Sequence, residues 1–268
     1  MRPEHKEIMK ARARNIALKV AYDGTHYHGF QRQSPPIAAV QNVLEDALAK
    51  VCKDTVELAA AGRTDAGVHA YGQVVNFFTD GRIPVGRLPR AVNGLLPPDI
   101  VVVEAWEAAR DFSARHSATG KTYLYRLEQC MIPNPFSRNY AWQIFHPLDV
   151  GAMQKALMLL IGTHDFSSFR AAGGAPMSPV RTLDEVHLAE EGAGRLSCRI
   201  HGNGFLYHMV RNIISTVVSV GTGRISAERF AEIFAAHDRR LASPTAPACG
   251  LYLLRVDYDR SAGHAAFM

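Results

Sequence analysis

The chain has 268 residues, of which 47% are hydrophobic and 21% are charged, and its formal net charge is +5 at pH 7. These values are typical of a folded globular protein with one large or two medium-sized domains, whose core needs no disulfide or metal for stability. No apolar run approaches the roughly 18 residues of a membrane-spanning helix, and residues 1–14 lack the apolar core of a secretory signal. We therefore expect no membrane association.

Four cysteines are widely spaced and form no Cys-x-x-Cys pair, and 12 histidines form no His-Glu-x-x-His motif. A disulfide framework or a structural zinc site is therefore not expected, and free thiols are compatible with a location in the reducing cytoplasm. The small excess of positive charge points to a polyanionic partner only if arginines gather around one site.

The first half of the chain alternates between strand-like and helix-like hydrophobic patterns. The predicted strands are residues 15–22, 56–60, 73–78 and 100–106, and the predicted helices are residues 40–51 and 85–93. This order favours an α/β sandwich with a largely antiparallel sheet. The loop at residues 26–33 is dense in aromatic and amide side chains, so it is either a solvated loop or a functional one.

The second half repeats these element types. Its predicted elements are a strand at 121–129, a helix at 150–161 capped by Asp149, a hairpin of 186–190 with 195–201, helices at 205–220 and 227–236, and a strand at 251–258. We therefore predict an α+β protein with an N-terminal domain at residues 15–110 and a C-terminal domain at 111–260. Residues 1–14 form a basic arm, expected to be flexible, and residues 261–268 form a tail.

One carboxylate stands out because two glycines flank it in the segment AGRTDAGVHA at residues 61–70. Gly62 and Gly67 permit a sharp turn and close approach to another molecule, and Asp65 lies between them, two residues after Arg63. The aspartate either stabilises the turn or performs chemistry. Glycoside hydrolysis usually requires two carboxylates, so a lone aspartate better suits covalent catalysis or recognition.

An arginine interrupts the predicted helix at residues 205–220, which is apolar around most of its circumference. Because a buried arginine is costly without a partner, Arg211 needs an acid. Asp165 or Glu185 would be a structural partner. Asp65 would be a functional one, since the arginine would keep that carboxylate ionised and oriented.

Aromatic and basic residues share one face of the strand predicted at residues 121–129, because Lys121, Tyr123 and Tyr125 alternate along it. Two tyrosines on a strand face are often core residues. Basic side chains among aromatic rings also suit a nucleobase, which stacks on the ring, and its phosphates. Both interpretations remain open for Tyr123.

Seven segments resemble the TruA family of tRNA pseudouridine synthases. They are YDGTHYHGFQRQ (22–33), AGRTDAGVHAYGQVVNF (61–77), NGLLPPDI (93–100), FSARHSATGKTYLYR (112–126), GTHDFSSFR (162–170), GNGFLYHMVRNI (202–213) and GLYLLRVDY (250–258). The combination of GRTDAGVHA with YHMVRN is highly specific for that family. Phe30 departs from the many relatives that carry tryptophan there, but an aromatic ring is kept.

The resemblance implies an isomerase that converts uridine to pseudouridine at positions 38, 39 and 40 of the tRNA anticodon stem-loop. It also implies a homodimer that binds tRNA and uses no metal or organic cofactor. The implied fold is the pseudouridine synthase fold, with two α/β-sandwich domains and mainly antiparallel sheets around a central catalytic cleft. By the same resemblance, Asp65 matches the catalytic aspartate, Tyr123 the tyrosine that stacks on the target base, Arg211 an arginine that pairs with the aspartate, and Arg63 a basic residue beside the flipped nucleotide.

Two other functions are compatible with parts of the sequence. An RNA-binding module without catalysis would explain basic loops with aromatics, but not Arg211 or the Asp65 turn. A nucleoside or sugar hydrolase would need a second carboxylate near Asp65 and would release free uracil.

Overall fold

The computed structural model describes residues 11–174 and 176–259, and the chain forms two compact units. The described residues up to Thr119 and from Leu253 onward form the first unit, and Gly120–Tyr252 forms the second. In chain order the strands and helices are β1 (Arg14–Tyr22), α1 (Val40–Cys52), β2 (Ala59–Ala60), β3 (His69–Thr79), α2 (Leu88–Asn93), β4 (Ile100–Glu107), β5 (Ala118–Gln129), β6 (Trp142–Ile144), α3 (Val150–Met158), β7 (Gly162–Asp165), β8 (Val180–Gly192), β9 (Arg195–Gly202), α4 (Met209–Gly221), α5 (Ala227–Ala235) and β10 (Leu251–Tyr258).

The first unit is built around β1, which lies between β3 and β4 and is antiparallel to both. The short strand β2 pairs with β3, also antiparallel. Ile16, Leu18 and Val20 of β1 are at most 1% exposed, as expected for a central strand. The second unit contains β5, β9, β8 and β7 in that order, each antiparallel to the next, while β6 runs parallel to β5. The predicted α+β fold with mainly antiparallel sheets is confirmed.

The final strand returns to the first unit, although the sequence placed residues 111–260 together. The backbone of Leu254 leaves no room for a Cβ at Gly72 of β3. The hydroxyl of Tyr258 donates to the carbonyl of Ala114 over 2.7 Å. These contacts explain why β10 from Leu253 onward belongs with the first unit.

Several predicted elements have different bounds. The predicted strand at 56–60 shrinks to β2, because the buried Glu45 carboxylate on α1 accepts the N–H of Leu58 over 2.9 Å, where a strand partner would bind. The predicted helix at 85–93 divides into a 3-10 turn and α2. The predicted helix at 150–161 ends at Met158, and Asp149 caps its start by accepting from the N–H of Ala152.

The predicted helix at 205–220 begins four residues late, at Met209. His208 has φ 58°, and this left-handed conformation cannot continue a right-handed helix backwards. Phe205 therefore lies outside α4. The helix itself is as buried as the sequence predicts, and Arg211 is one of its two half-buried residues.

The arm predicted at residues 1–14 lies mostly outside the described residues, and so does the tail at 261–268. Residues 11–14 of the arm are among the described residues. Arg12 forms an ion pair with Asp54 at 2.8 Å, and Arg14 starts β1 and donates to the carbonyl of Ile83 over 2.9 Å. These contacts hold Arg12 and Arg14 against the first unit, and the flexibility of the arm stays a prediction. Among the residues that the structure describes, no helix is long and apolar enough to cross a membrane.

A buried asparagine holds α4 in the second unit. The Asn212 side chain is fully buried; its amide N–H donates to the carbonyl of Phe169 over 2.8 Å. Its carbonyl oxygen accepts from Arg239 over 3.0 Å and from the Thr245 hydroxyl over 2.7 Å. Three segments thus meet at the residue that follows Arg211.

Two loops of the first unit meet backbone to backbone. The first is the 23–30 loop, which follows β1, and the second is residues 61–68, which join β2 to β3 and which we call the aspartate turn. Gly29 has φ 90°, and a Cβ there would lie 2.7 Å from the carbonyl oxygen of Thr64. A Cβ at Gly24 would lie 2.0 Å from the carbonyl oxygen of Val68. Only glycine permits either contact.

We expect Asn212→Ala to lower the free energy of unfolding by about 3 kcal/mol, because it leaves buried hydrogen-bonding groups without a partner. Urea unfolding measures the loss. Asn42→Ala is the matched control, since the Asn42 amide binds the backbone of Gln33 at the surface. That change should cost less than about 1 kcal/mol. Equal losses in the two variants would show that Asn212 does not hold the helix.

We expect Gly29→Ala to destabilise the protein more than Gly173→Ala does. Gly173 has nearly the same φ, 88°, but a Cβ there meets no atom within 4 Å. Gly173→Ala should therefore lose only about 1 kcal/mol, the cost of the left-handed conformation. Gly29→Ala should lose a further roughly 2 kcal/mol from the clash with Thr64. The urea concentration at the midpoint of unfolding is measured for both variants. Equal midpoints would show that the contact with Thr64 does not require glycine at position 29.

Candidate active site

The aspartate turn presents a half-buried carboxylate. Asp65 lies between Thr64, which is 7% exposed, and the exposed Ala66. The N–H of Val68 donates to the carbonyl of Asp65 over 3.1 Å, which closes the turn. Gly67 has φ 76°, the left-handed conformation for which the sequence predicts glycine. The turn therefore fixes the backbone on both sides of the carboxylate.

The 23–30 loop holds this turn in place by hydrogen bonds. The N–H of Phe30 donates to the carbonyl of Thr64 over 3.0 Å, and the N–H of Gly67 donates to the carbonyl of Tyr27 over 3.2 Å. The hydroxyls of Tyr22 and Thr64 are 2.7 Å apart. Three hydrogen bonds therefore tie the two residues that flank the Asp65–Ala66 pair to the end of β1 and its loop. Such bracing preorganises a side chain for chemistry.

The aromatic residues of the 23–30 loop belong to the core. Tyr27 is 8% exposed and Phe30 is 1% exposed. The Tyr27 hydroxyl donates to Asp99 over 2.7 Å, and burial together with that hydrogen bond raises the pKa of Tyr27. The Phe30 ring lies 6.0 Å from that of Tyr22. Neither ring belongs to a solvated loop, and both act as a scaffold for the turn.

Arg63 and Asp65 lie together on the aspartate turn, where Arg63 is exposed. The neighbouring His69 is 2% exposed. Its Nδ1 accepts from the N–H of Gly24 over 3.1 Å and lies 3.1 Å from a carboxylate oxygen of Asp23. His69 thus anchors the start of β3 to the 23–30 loop.

The two tyrosines of β5 differ in their surroundings. Tyr123 is 9% exposed, and its ring meets that of Phe205 edge-on at 4.9 Å. Tyr125 is fully buried, its hydroxyl donates to the carbonyl of Pro247 over 2.7 Å, and burial raises its pKa. Tyr125 is therefore a core residue with a committed hydroxyl. Tyr123 retains a small exposed area beside Phe205.

Arg211 lies near the same strand face in the second unit. Its Nε donates to the carbonyl of Ala246 over 2.8 Å, and its own carbonyl accepts from the N–H of Ala246. The hydroxyl of Tyr125 donates to the carbonyl of Pro247, so Arg211 and this hydroxyl bind two consecutive residues. The second unit therefore brings Arg211 close to the Tyr125 hydroxyl, and its placement beside Tyr123 stays a prediction.

Of the two structural partners considered for Arg211, Asp165 is engaged by other groups and Glu185 is exposed. Asp165 accepts from the N–H of Ser167 over 2.8 Å and lies 3.6 Å from Nδ1 of His237. Burial alone would raise the pKa of Asp165, but the Ser167 hydrogen bonds and the His237 charge outweigh burial and lower this pKa. Glu185 is exposed on β8. The pairing of Arg211 with Asp65 stays a prediction.

Sequence reasoning missed the support of the aspartate turn. Tyr22, Tyr27 and Thr64 all lie within the segments that resemble the family, but nothing in their local pattern links residue 22 to residue 64. Gln73 was also missed; it is fully buried, and its amide donates to the carbonyl of Gly62 over 2.8 Å. The only local sign of this role was that Gln73 is an uncharged polar residue in a strand that is otherwise mostly apolar.

Comparison with known proteins gives the family. A family model described as tRNA pseudouridine synthase matches residues 18–116 and 156–259. The chain is 44% identical over 245 residues to tRNA pseudouridine synthase A of a Thermoanaerobacter species, covering 91% of this chain and 100% of that protein. It is 48% identical over 239 residues to the protein of that name from Halalkalibacterium halodurans, covering 89% of this chain and 90% of the other.

A third relative is tRNA pseudouridine synthase A of Neisseria gonorrhoeae, 43% identical over 253 residues, which cover 94% of this chain and 95% of that one. A solved archaeal box H/ACA sRNP Nop10-Cbf5 complex is similar at a TM-score of 0.35 and 11% identity, over 82% of this chain and 47% of that chain, and a similarity this low adds nothing to the assignment. The family model and these relatives agree over both compact units. The chain therefore belongs to the tRNA pseudouridine synthase family, which is a family of isomerases.

Proposed function

We propose that this protein isomerises uridine to pseudouridine in tRNA, at positions 38, 39 and 40 of the anticodon stem-loop. The observation that carries the proposal is the rigid placement of Asp65 on a braced turn, in a chain that belongs to this family. The relatives' names specify tRNA as their substrate. The stem-loop positions come from the resemblance of the sequence to the TruA family.

In the proposed reaction Asp65 is the nucleophile. Its carboxylate attacks the nucleoside at the ribose anomeric carbon or at C6 of uracil, and the bond between N1 and the anomeric carbon breaks. The uracil then rotates and its C5 bonds to the anomeric carbon, while the bond formed by Asp65 breaks and returns the free carboxylate. N1 gains a proton and C5 loses one, so the product is an isomer of the substrate. Neither an oxidant nor a reductant is consumed, and the proposed reaction uses no metal or organic cofactor.

The remaining predicted site residues bind and orient the nucleotide in this proposal. The target uridine must leave the base stack before its glycosidic bond can be reached. Tyr123 then stacks on the uracil, which keeps the detached base in place while it rotates. Arg211 keeps the Asp65 carboxylate ionised. Arg63, which is exposed on the aspartate turn, lies beside the flipped nucleotide.

The proposal includes a homodimer that binds tRNA and a location in the cytoplasm. All four cysteines, Cys52, Cys130, Cys198 and Cys249, are free thiols, which suits a reducing compartment. The dimer comes from the family resemblance, and sedimentation of the purified protein would measure it. A hydrolase and a catalytically inert RNA-binding module are the competing functions.

We expect Asp65→Asn to lower the rate of pseudouridine formation by at least about 10⁴-fold, since the amide keeps the shape but cannot attack. The tRNA affinity should change little. The assay is release of tritium to water from tRNA labelled at C5 of uridine. Asp46→Asn is the matched control, because Asp46 is an exposed carboxylate on α1.

The same assay separates the three functions. An isomerase releases tritium and leaves uracil attached, a hydrolase releases free uracil, and a binding module releases neither. Normal tritium release by Asp65→Asn would refute the role of Asp65.

We expect Tyr123→Phe to keep the pseudouridine rate within about threefold, because the ring that stacks on uracil remains. Tyr123→Leu should lose about 5- to 150-fold, the factor that corresponds to roughly 1–3 kcal/mol of stacking. Single-turnover rates measure both. If Tyr123 is only a core residue, both variants will instead shift the urea midpoint and leave the rate of the folded protein unchanged.

A further inference from the structure

A buried polar network lies directly beneath the aspartate turn. It consists of Tyr22 at the end of β1, Gln73 on β3 and Thr64, which precedes Asp65 in the chain. Their exposed fractions are 5%, 0% and 7%. A buried polar group is costly unless it is hydrogen-bonded, and here the hydroxyls of Tyr22 and Thr64 bond to each other while the Gln73 amide bonds to the turn backbone.

The hydrogen bonds of the network reach the aspartate turn at two residues. The Gln73 amide donates to the carbonyl of Gly62 over 2.8 Å. The Tyr22 hydroxyl lies 2.7 Å from Oγ1 of Thr64, and either hydroxyl can donate to the other. Burial raises the pKa of Tyr22 to about 12, so its hydroxyl keeps its proton at neutral pH. Both bonds therefore join a strand of the sheet to the turn.

Thr64 is fixed from two sides. Its carbonyl accepts from the N–H of Phe30 over 3.0 Å, and its side chain meets Tyr22. One bond alone would leave the peptide that leads into Asp65 free to rotate, whereas two bonds at different atoms fix it. The Tyr22 hydroxyl therefore restrains the residue that leads into Asp65.

We propose that Tyr22, Thr64 and Gln73 are positioning residues that set the attack geometry of Asp65. This inference rests on the proposed function of Asp65 as the nucleophile. Tyr22 acts through Thr64. A misplacement of about 1 Å at a reacting group can cost about 100-fold in rate, so the loss of a single buried hydroxyl should be visible in the chemical step.

The test uses Tyr22→Phe, which removes the hydroxyl and keeps the ring that packs on Phe30. Tyr258→Phe is the matched control, because the Tyr258 hydroxyl also makes a 2.7 Å hydrogen bond in the same unit, to the carbonyl of Ala114. Single-turnover rates at saturating protein, tRNA affinity and urea midpoints are measured for each. Both variants lose one hydrogen bond, so a purely structural effect should appear in both.

We expect Tyr22→Phe to lower the single-turnover rate by about 10- to 100-fold and to change tRNA affinity by less than about twofold. Tyr258→Phe should change both by less than about twofold. Thr64→Val should match Tyr22→Phe, and Thr64→Ser, which keeps the hydroxyl, should stay within about threefold of the wild type. The double variant Tyr22→Phe/Thr64→Val should be no slower than either single one, because both remove the same link.

Amide hydrogen exchange gives a readout that needs no catalysis. The N–H of Val68 closes the turn, and the N–H of Gly67 bonds the turn to the carbonyl of Tyr27. They should exchange faster in Tyr22→Phe and at the wild-type rate in Tyr258→Phe.

The outcomes separate this inference from the function on which it rests. An active wild type with an unaffected Tyr22→Phe variant overturns the positioning role alone. An equal rate loss in Tyr22→Phe and Tyr258→Phe does the same, since it reports stability. A wild type that converts no uridine in any tRNA overturns the proposed function, and the positioning role with it.

Discussion

The contact between the 23–30 loop and the aspartate turn is the constraint on which the first unit depends. The carbonyl of Thr64 accepts from the N–H of Phe30, and the chain can come this close only because Gly29 has no Cβ. This contact joins the end of β1 to the loop between β2 and β3. Asp65, the nucleophile that we propose, must be held in one orientation to react, and the backbone that carries it cannot move without breaking several buried hydrogen bonds.

The second unit uses the same principle with a different residue. Asn212 binds three segments of the chain and holds α4 where Arg211 can reach Ala246. A buried asparagine is costly when its amide is unsatisfied and rigid when every bond is made. In both units a residue proposed for chemistry is next in the chain to a buried, hydrogen-bonded polar residue. Asp65 follows Thr64, and Arg211 precedes Asn212. We regard this arrangement as the physical basis of the site.

The sequence predicted most strands and helices because hydrophobic periodicity reports which face is buried. The Asp149 cap followed from local chemistry and is confirmed. The start of α4 was wrong, since Phe205 continues the apolar pattern while the left-handed backbone of His208 ends the helix, and a pattern of side chains does not encode that angle. The bond between Tyr22 and Thr64 was equally invisible, because it depends on how β1 lies against the turn. Asp65 could be identified from its glycines, but its support could not.

We propose that this protein forms pseudouridine in the anticodon stem-loop through Asp65. To test this, an unmodified tRNA transcript is incubated with the wild-type protein, and pseudouridine is located by carbodiimide modification and primer extension. We expect stops that report pseudouridine at uridines in positions 38, 39 and 40, and none after incubation with Asp65→Asn. Pseudouridine only at other positions, or the same stops with the Asp65 variant, would contradict it.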